Sequence, residues 1–306
     1  MKEKLLIVGG TGFIGKNLTQ KAAKNDFLIT VISANLPKKN YQLPNVEYLQ
    51  ANITNLDQLR KTLINRKFDY LVNLSGYIDH SKFLSGGSEV IKTHFDGVQN
   101  LLKVIDWKNL KRFIQIGSSD EYGDQDAPQL EDIRESPISS YSAGKLFSTH
   151  LLQMLHKTEG LPVVILRLFL VYGPGQNNKR FLPQIINGCS SDSSFPVSEG
   201  GQLRDFCYVD DISRGILMAL KNKNVEGEVI NLASGQSISI REVIEIVKRI
   251  VGKGRPDFGK IPYRSGENMN LYADTSKANK VLQWMPEISI VEGIKKTIIS
   301  QTFKKE

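Results

Sequence analysis

Tyr141 and Lys145 stand four residues apart in Tyr141-Ser142-Ala143-Gly144-Lys145, a spacing that puts a phenol and an ammonium on one face of a helix. A positive charge beside a phenol lowers its pKa from an ordinary value near 10 and makes its oxygen a general acid or base at neutral pH. Ser118 lies upstream in Ile116-Gly117-Ser118-Ser119-Asp120-Glu121-Tyr122-Gly123, just past an apolar run that reads as a buried strand. Its hydroxyl is therefore expected at the sheet edge where reacting groups collect. Isolated Tyr-x-x-x-Lys pairs are frequent by chance. This one gains weight from following a strand that ends near Ser118, in a chain that opens with a glycine-rich turn.

That turn indicates what accompanies the proton chemistry. Leu5-Leu6-Ile7-Val8 is a short, wholly apolar run, as expected of a strand buried on both faces of a parallel sheet. It leads into Gly9-Gly10-Thr11-Gly12-Phe13-Ile14-Gly15, after which the pattern becomes helical. A strand, glycine turn and helix bring backbone N–H groups and a helix N-terminus up to a pyrophosphate, and only glycine lets the main chain come so close. In dinucleotide-binding folds an acidic residue about twenty positions on takes the adenine ribose hydroxyls. Here a second strand over 27–32 is followed by Ser33-Ala34-Asn35, with Lys38 and Lys39 beyond. A carboxylate would repel a ribose 2′-phosphate, whereas a small polar residue followed by lysines accepts one. NADP(H) is thereby favoured, with NAD(H) as the other candidate.

The elements that must position these residues follow in alternation. The first helix is expected to run to about Asn25. Residues 46–49 and 70–74 read as third and fourth strands, and Thr54-Asn55-Leu56-Asp57 opens the helix between them with a capping-box-like start. A long helix is predicted over 90–107 and a fifth strand over 112–116. This alternation argues for an α/β chain with a Rossmann-type doubly wound parallel sheet. After another strand over 163–168 the chain becomes rich in Gly, Pro, Asn and Ser through Gly201. The shift near Tyr172-Gly173-Pro174-Gly175 marks a boundary. Residues 1–172 are expected to form the dinucleotide-binding domain. Residues 173–306 form a smaller mixed α/β C-terminal substrate lobe over the carboxyl edge of the sheet, with part of 205–225 returning to the first domain. Ser239-Ile240-Arg241-Glu242 and Ser289-Ile290-Val291-Glu292 read as capping boxes of two late helices.

Composition narrows the function classes. At 306 residues the chain can bury the core of two lobes. The 40 Lys and Arg against 32 Asp and Glu give a formal charge of +8, which suits an anionic small ligand. The basic residues are scattered, without a block of interleaved aromatics, so no nucleic-acid surface is expected. Cys189 and Cys207 are too few for a disulfide framework and lack metal-ligand spacing; they read as buried thiols, with no metal site. The N-terminal apolar stretch stops at Gly9 without a cleavage pattern, and the longest apolar run, 161–172, is too short for a bilayer. A cytoplasmic protein with no membrane partner is expected.

With Tyr172-Gly173-Pro174-Gly175-Gln176 and Arg204-Asp205-Phe206-Cys207-Tyr208-Val209-Asp210-Asp211 added to these motifs, the chain resembles, over essentially its whole length, the extended short-chain dehydrogenases/reductases of the nucleotide-sugar epimerase/dehydratase group. The resemblance implies a nucleoside-diphosphate sugar as substrate and a homodimer. It implies that Tyr141 exchanges a proton with a sugar oxygen while hydride passes to or from the nicotinamide. Lys145 would hold the nicotinamide ribose and tune Tyr141, and Ser118 would hydrogen-bond the same sugar oxygen. Around the cofactor the resemblance places Gly9, Thr11, Gly12, Phe13, Ile14 and Gly15, then Ser33, Asn35 and Lys38, then Asn52 and Ile53, then Leu74, Ser75 and Gly76. His80, Ser119 and Asp120 would face the sugar. Arg204, and Arg264 in Tyr263-Arg264-Ser265-Gly266, would grip the diphosphate, an anion suited to bidentate guanidinium. Asn52 stands where many relatives carry an adenine-contacting Asp, and Leu170 where many carry Asn.

Departures within the resemblance choose among reactions. Sugar 4,6-dehydratases carry Thr-Asp-Glu four, three and two residues before the Tyr-Gly pair. Counting back from Tyr122 gives Ser118, Ser119 and Asp120. Removing water across two carbons needs both an acid and a base, yet the middle acid is absent and the glutamate position holds the shorter Asp120, the remaining catalytic candidate. Glu121 would substitute only in a different register. A 4-keto reductase needs only the tyrosine, the serine and a hydride donor, and Gly-Ser-Ser-Asp-Glu-Tyr-Gly and Tyr-Gly-Pro-Gly-Gln are similar to segments of GDP-4-keto-6-deoxy-mannose reductases. The expected activity is NAD(P)H-dependent reduction of a nucleoside-diphosphate 4-keto-6-deoxy sugar, in a polysaccharide or glycan precursor. NAD-dependent 4-epimerisation is the alternative, then 4,6-dehydration. His94 and His156 read as helix packing or surface residues.

Overall fold

The structure, a computed structural model, describes residues 2–264 and 266–302. Its first half contains β1 (Glu3–Val8), α1 (Phe13–Ala22), β2 (Phe27–Ser33), β3 (Val46–Gln50), α2 (Leu56–Leu63), β4 (Tyr70–Asn73), α3 (Gly87–Ile91), α4 (Gly97–Val104), β5 (Arg112–Ser118), α5 (Ser140–Glu159) and β6 (Val163–Leu168). The second half contains β7 (Leu170–Tyr172), α6 (Phe181–Ser190), β8 (Ser194–Pro196), β9 (Leu203–Tyr208), α7 (Val209–Lys221), β10 (Val229–Leu232), β11 (Ser237–Ser239), α8 (Ile240–Val251), β12 (Arg255–Asp257), β13 (Asn270–Leu271), α9 (Ser276–Leu282) and α10 (Ile290–Thr302).

Seven parallel strands form the main sheet in the order β10-β6-β5-β4-β1-β2-β3. The apolar run in β1 divides between its two faces. Leu5 and Ile7 enter one core with Ile29, Val31, Val72, Ile114 and Val164. Leu6 and Val8 enter the other with Ile32, Leu71, Phe113 and Val163. Burial on both faces is why these strands lack polar alternation. The strand order reverses between β1 and β4, and the crevice beyond their carboxyl ends is where doubly wound sheets take ligands. The chain returns to this sheet late. Ile212, Ile216, Ala219 and Leu220 of α7 share the core of Leu18 and Ala22 of α1, and β10 pairs with β6.

A four-stranded sheet is centred on β9, antiparallel to β11 and parallel to β7 and β13. With the β8–β12 pair and α6, α8 and α10 it surrounds a separate core that includes Tyr172, Ile185, Phe206, Tyr208, Val243, Ile244 and Ile294. Ser239 and Glu242 form the expected reciprocal capping box on α8, and Ser289 Oγ accepts from the Glu292 N–H at 3.3 Å ahead of α10. Cys189 and Cys207 are buried thiols. Among the described residues no helix is long and apolar enough to cross a membrane.

Several boundaries differ from those expected. Helix α1 stops at Ala22 rather than near Asn25. The cap of α2 is Asn55, whose Oδ1 accepts from the Gln58 N–H at 3.0 Å, while Thr54 donates to Asn52 Oδ1. β4 ends at Asn73, and β5 runs two residues further than expected, carrying Ser118 to the sheet edge. The long helix expected over 90–107 runs instead from Gly87 to Val104 and carries a bulge. A π-helical turn, Lys92–Asp96, separates α3 from α4, and a 3₁₀ turn, Trp107–Asn109, follows. The extra residue of a π turn rephases the helix. His94 then faces α5, while Gly97 lies so close to Ile53 that a Cβ there would stand 2.3 Å from Ile53 Cδ1.

Candidate active site

The glycine turn closes on itself first. Gly9, at φ +79°, donates to Ile32 O at 2.7 Å, and Gly12 N–H donates to Gly9 O at 3.0 Å. A Cβ on Gly15 would lie 2.3 Å from Gly9 O, and one on Gly9 would lie 2.9 Å from the Leu74 carbonyl carbon. Helix α1 begins behind Gly12 with no side-chain cap and no acidic residue in its first turn, which leaves the N–H groups around Phe13 and Ile14 without a side-chain acceptor and suits an anion. Thr11 fastens the turn to β2: its N–H donates to Ser33 Oγ at 3.3 Å and its hydroxyl to Asn35 O at 3.2 Å. Lys38 is exposed and caps a 3₁₀ turn.

The neighbouring strand ends complete the cradle. Asn52 Oδ1 accepts from the Thr54 N–H and hydroxyl, and the carbonyl of buried Ile53 accepts from Asn100. Leu74 N–H donates to Val8 O at 2.9 Å, and Ser75 binds Asn73 Oδ1. Gly76 has φ +113°. All of these lie at the carboxyl ends of β1 to β4, and a glycine cradle with open helix N–H groups fits a dinucleotide pyrophosphate.

Ser118 ends β5 and caps a 3₁₀ turn, its Oγ accepting from the Asp120 N–H at 3.2 Å. Ser139 caps α5 in a reciprocal box with Ser142 and so fixes Tyr141 in the first turn. Tyr141 is buried, with Ser118 near enough to act on its phenol, and set between two imidazoles. The His80 ring is 5.7 Å away at 76°, and the His94 ring 5.1 Å away at 80°. Lys145 Nζ donates to Ile116 O at 2.9 Å.

The electrostatics correct one expectation. Burial raises the Tyr141 phenol well above its ordinary pKa; the Asp120 charge adds to this and the Ser118 hydroxyl opposes it. A lowering by Lys145 is not seen, because its ammonium is turned to the Ile116 carbonyl. Burial pushes Lys145 itself down to about 8 against the charge of Glu121. Burial also raises the Asp120 carboxyl, with His80 and Arg204 opposing. His80 Nε2 is 3.7 Å from Asp120 Oδ2, and its Nδ1 is 3.4 Å from Ser139 Oγ.

Glu121 is not a reagent in another register. Its fully buried carboxylate accepts from the Ser118 N–H at 2.8 Å through Oε1, and from Thr149 Oγ1 at 2.8 Å and Arg167 Nε at 3.1 Å through Oε2. Both oxygens are committed to holding β5, α5 and β6 together. Ser119 is likewise buried.

On the side of the second sheet, Arg204 approaches Asp120 but is not free. It pairs with Glu267 and donates to Leu203 O at 2.8 Å. Arg264 is exposed and near enough to Arg204 for their charges to repel; Ser265, in the same motif, lies outside the described residues. Two residues join the site without having been assigned to it from sequence. Arg180, just before α6, bears electrostatically on both Asp120 and Tyr141, and only its place in the basic pair Lys179-Arg180 hinted at this. His94, expected as packing or surface, is a buried wall of the Tyr141 pocket, which no spacing in the sequence signalled.

Comparison with known proteins gives a consistent picture. The sequence model of the NAD dependent epimerase/dehydratase family matches residues 5–233. A UDP-glucuronate 4-epimerase of Thermodesulfobacterium geofontis is 31% identical over 257 residues, covering 83% of this chain and 79% of that one. A dTDP-glucose 4,6-dehydratase of Haemophilus influenzae is 26% identical over 96% of each chain. The crystal structure of UDP-glucuronic acid 4-epimerase from Bacillus cereus, in complex with UDP-glucuronic acid and NAD, is 29% identical. It superposes with a TM-score of 0.86 over 98% of this chain and 99% of that one.

Proposed function

The chain belongs to the NAD dependent epimerase/dehydratase family, and on that premise we propose that it is a reductase of a nucleoside-diphosphate 4-keto-6-deoxy sugar. The carrying observation is Tyr141, buried beside Ser118 and followed one turn later by Lys145, at the sheet edge that also holds the glycine cradle. When bound there, a nicotinamide dinucleotide supplies the hydride for C4. Tyr141, kept protonated by burial, gives its proton to the C4 oxygen. Ser118 Oγ orients that oxygen, and Lys145, one turn further along α5, holds the ribose of the bound dinucleotide. Arg180 and the exposed Arg264 hold the diphosphate over the cleft beside Arg204, whose guanidinium is engaged by Glu267, and the lobe formed by residues outside the seven-stranded sheet and its helices closes on the nucleotide.

The neighbourhood of Tyr141 argues against dehydration. Glu121 is locked to Arg167, Ser119 stands where a second acid is needed, and Asp120 is the carboxyl whose charge bears most on the phenol. At the end of β2 the absence of a carboxylate supports NADP(H), with Lys38 as the partner of a 2′-phosphate. The second reading is 4-epimerisation with retained NAD, favoured by the similarity to UDP-glucuronate 4-epimerases, one of which is crystallised with NAD.

The cofactor carried by the purified protein, identified by mass after denaturation, separates the two. Protein that emerges empty and binds NADPH more tightly than NADH, then oxidises NADPH with a 4-keto-6-deoxy sugar nucleotide, agrees with reduction. NAD that resists dialysis sinks the reductase reading in favour of the epimerase.

A further inference from the structure

We infer that His94 is a positioning residue that holds the Tyr141 phenol in register with the main chain at the end of β4. The inference rests on Tyr141 being the proton donor. His94 sits in the π turn between α3 and α4, 4% exposed. Its Nε2 lies 2.9 Å from Tyr77 O. A carbonyl can only accept, so Nε2 carries a hydrogen, and a neutral ring here is the Nε2–H tautomer. Tyr77 faces the ring from the segment after β4, and Tyr141 and Lys145 face it from α5. Burial first, and the Lys145 charge second, push His94 down to about 3, so it stays neutral across the working range of pH.

The fit is close on every side. The main chain passes over the ring at Gly76, where a Cβ would lie 2.1 Å from His94 Cε1. At Gly144, within the Tyr141–Lys145 turn, a Cβ would lie 3.3 Å from His94 Cβ. Ser148, further along α5, donates its hydroxyl to His94 O at 2.8 Å. One imidazole therefore ties the π turn, the end of β4 and the first turns of α5, and it meets the Tyr141 ring edge to face. The other imidazole on Tyr141, His80, is half-exposed and reaches Ser139 only at 3.4 Å. Removing the His94 ring opens space into which the phenol tilts, and a misplacement of about 1 Å costs roughly a hundredfold in rate.

Two measurements test this, one independent of substrate. Long-range ¹⁵N NMR of the four histidines, assigned with His94→Gln, is expected to show His94 as the neutral Nε2–H tautomer from pH 8 to pH 5. On a sugar nucleotide that the wild-type protein turns over, His94→Leu is expected to lower kcat ten- to a hundredfold per cofactor-binding site with KM within twofold. His94→Gln, whose amide reaches the Tyr77 carbonyl, recovers most of that loss. If His94→Leu does not fold, His94→Met takes its place. A His94 that titrates between pH 5 and 8, a leucine or methionine variant with wild-type kcat, or a glutamine variant no better than either overturns the inference. Wild-type protein inactive on every sugar nucleotide overturns the proposed function instead, and the NMR result then decides on His94 alone.

Discussion

Tyr141 and Glu121 show how burial alone assigns opposite work to two ionisable residues twenty positions apart. Tyr141 is buried without a committed charge partner, so its phenol stays protonated and available. Glu121 is buried against Arg167, Thr149 and the Ser118 amide, so its charge is spent on architecture. Glu121→Gln is therefore expected to destabilise the fold by about 3–5 kcal/mol, the usual cost of breaking a buried ion pair. Urea melts measure this. A variant of unchanged stability that has lost activity would instead make Glu121 a catalytic acid. Tyr141, Ser118 and Lys145 were legible because their spacing is local. Glu121 was not: its side-chain partners are 28 and 46 residues away, and nothing in Asp120-Glu121 tells which carboxylate turns inward. Arg204 was read as a free clamp for the same reason, its partner Glu267 being 63 residues distant.

At the scale of elements, apolar runs announced the buried strands, and capping residues announced α8 and α10. What escaped was the π turn, which inserts one residue into an otherwise regular helix and leaves no period of its own over so short a stretch. The extension of β5 to Ser118 was missed because Gly117 and Ser118 look like a turn, although both are paired with β6. One tie between elements has a pH signature. Glu3 on β1 binds Lys221 at the end of α7, Lys111 ahead of β5, and Tyr70 on β4. Those bonds, with Lys221 the largest cause, lower its carboxyl from 4.5 to about 2. Because the folded-state pKa lies below the unfolded one, the tie stabilises fully above about pH 5 and is lost as pH falls toward 2. Glu3→Gln is expected to lower stability by up to about 1 kcal/mol at pH 7, since the group is partly exposed. Melts of both proteins should converge between pH 5 and pH 2; a gap that persists at pH 2 contradicts the charge argument.

At the scale of the molecule, the doubly wound order was legible because strands and helices alternate at regular intervals. The late return of β10 to the first sheet was not legible, because Val229–Leu232 is too short to declare its partner. Phe147 and Met154, seven residues apart on α5, are 44% and 46% exposed, and Phe147 meets Phe95 of the π turn at 5.9 Å. We propose that this face is shared by two copies. Wild-type protein should then elute near twice 34.3 kDa and Phe147→Glu near that mass itself; unchanged elution of the variant rejects the interface. The central claim, hydride transfer at C4 with Tyr141 as proton donor, has its own direct test. NADPH, or NADH if that binds better, carrying deuterium at both nicotinamide C4 positions is mixed with a 4-keto-6-deoxy sugar nucleotide and the product read by NMR. The expected result is one deuterium at sugar C4 per cofactor oxidised, with Tyr141→Phe slower by about 10²–10⁴-fold while its cofactor affinity is unchanged. A product without deuterium at C4, or a Tyr141→Phe variant as fast as the wild type, would contradict the account.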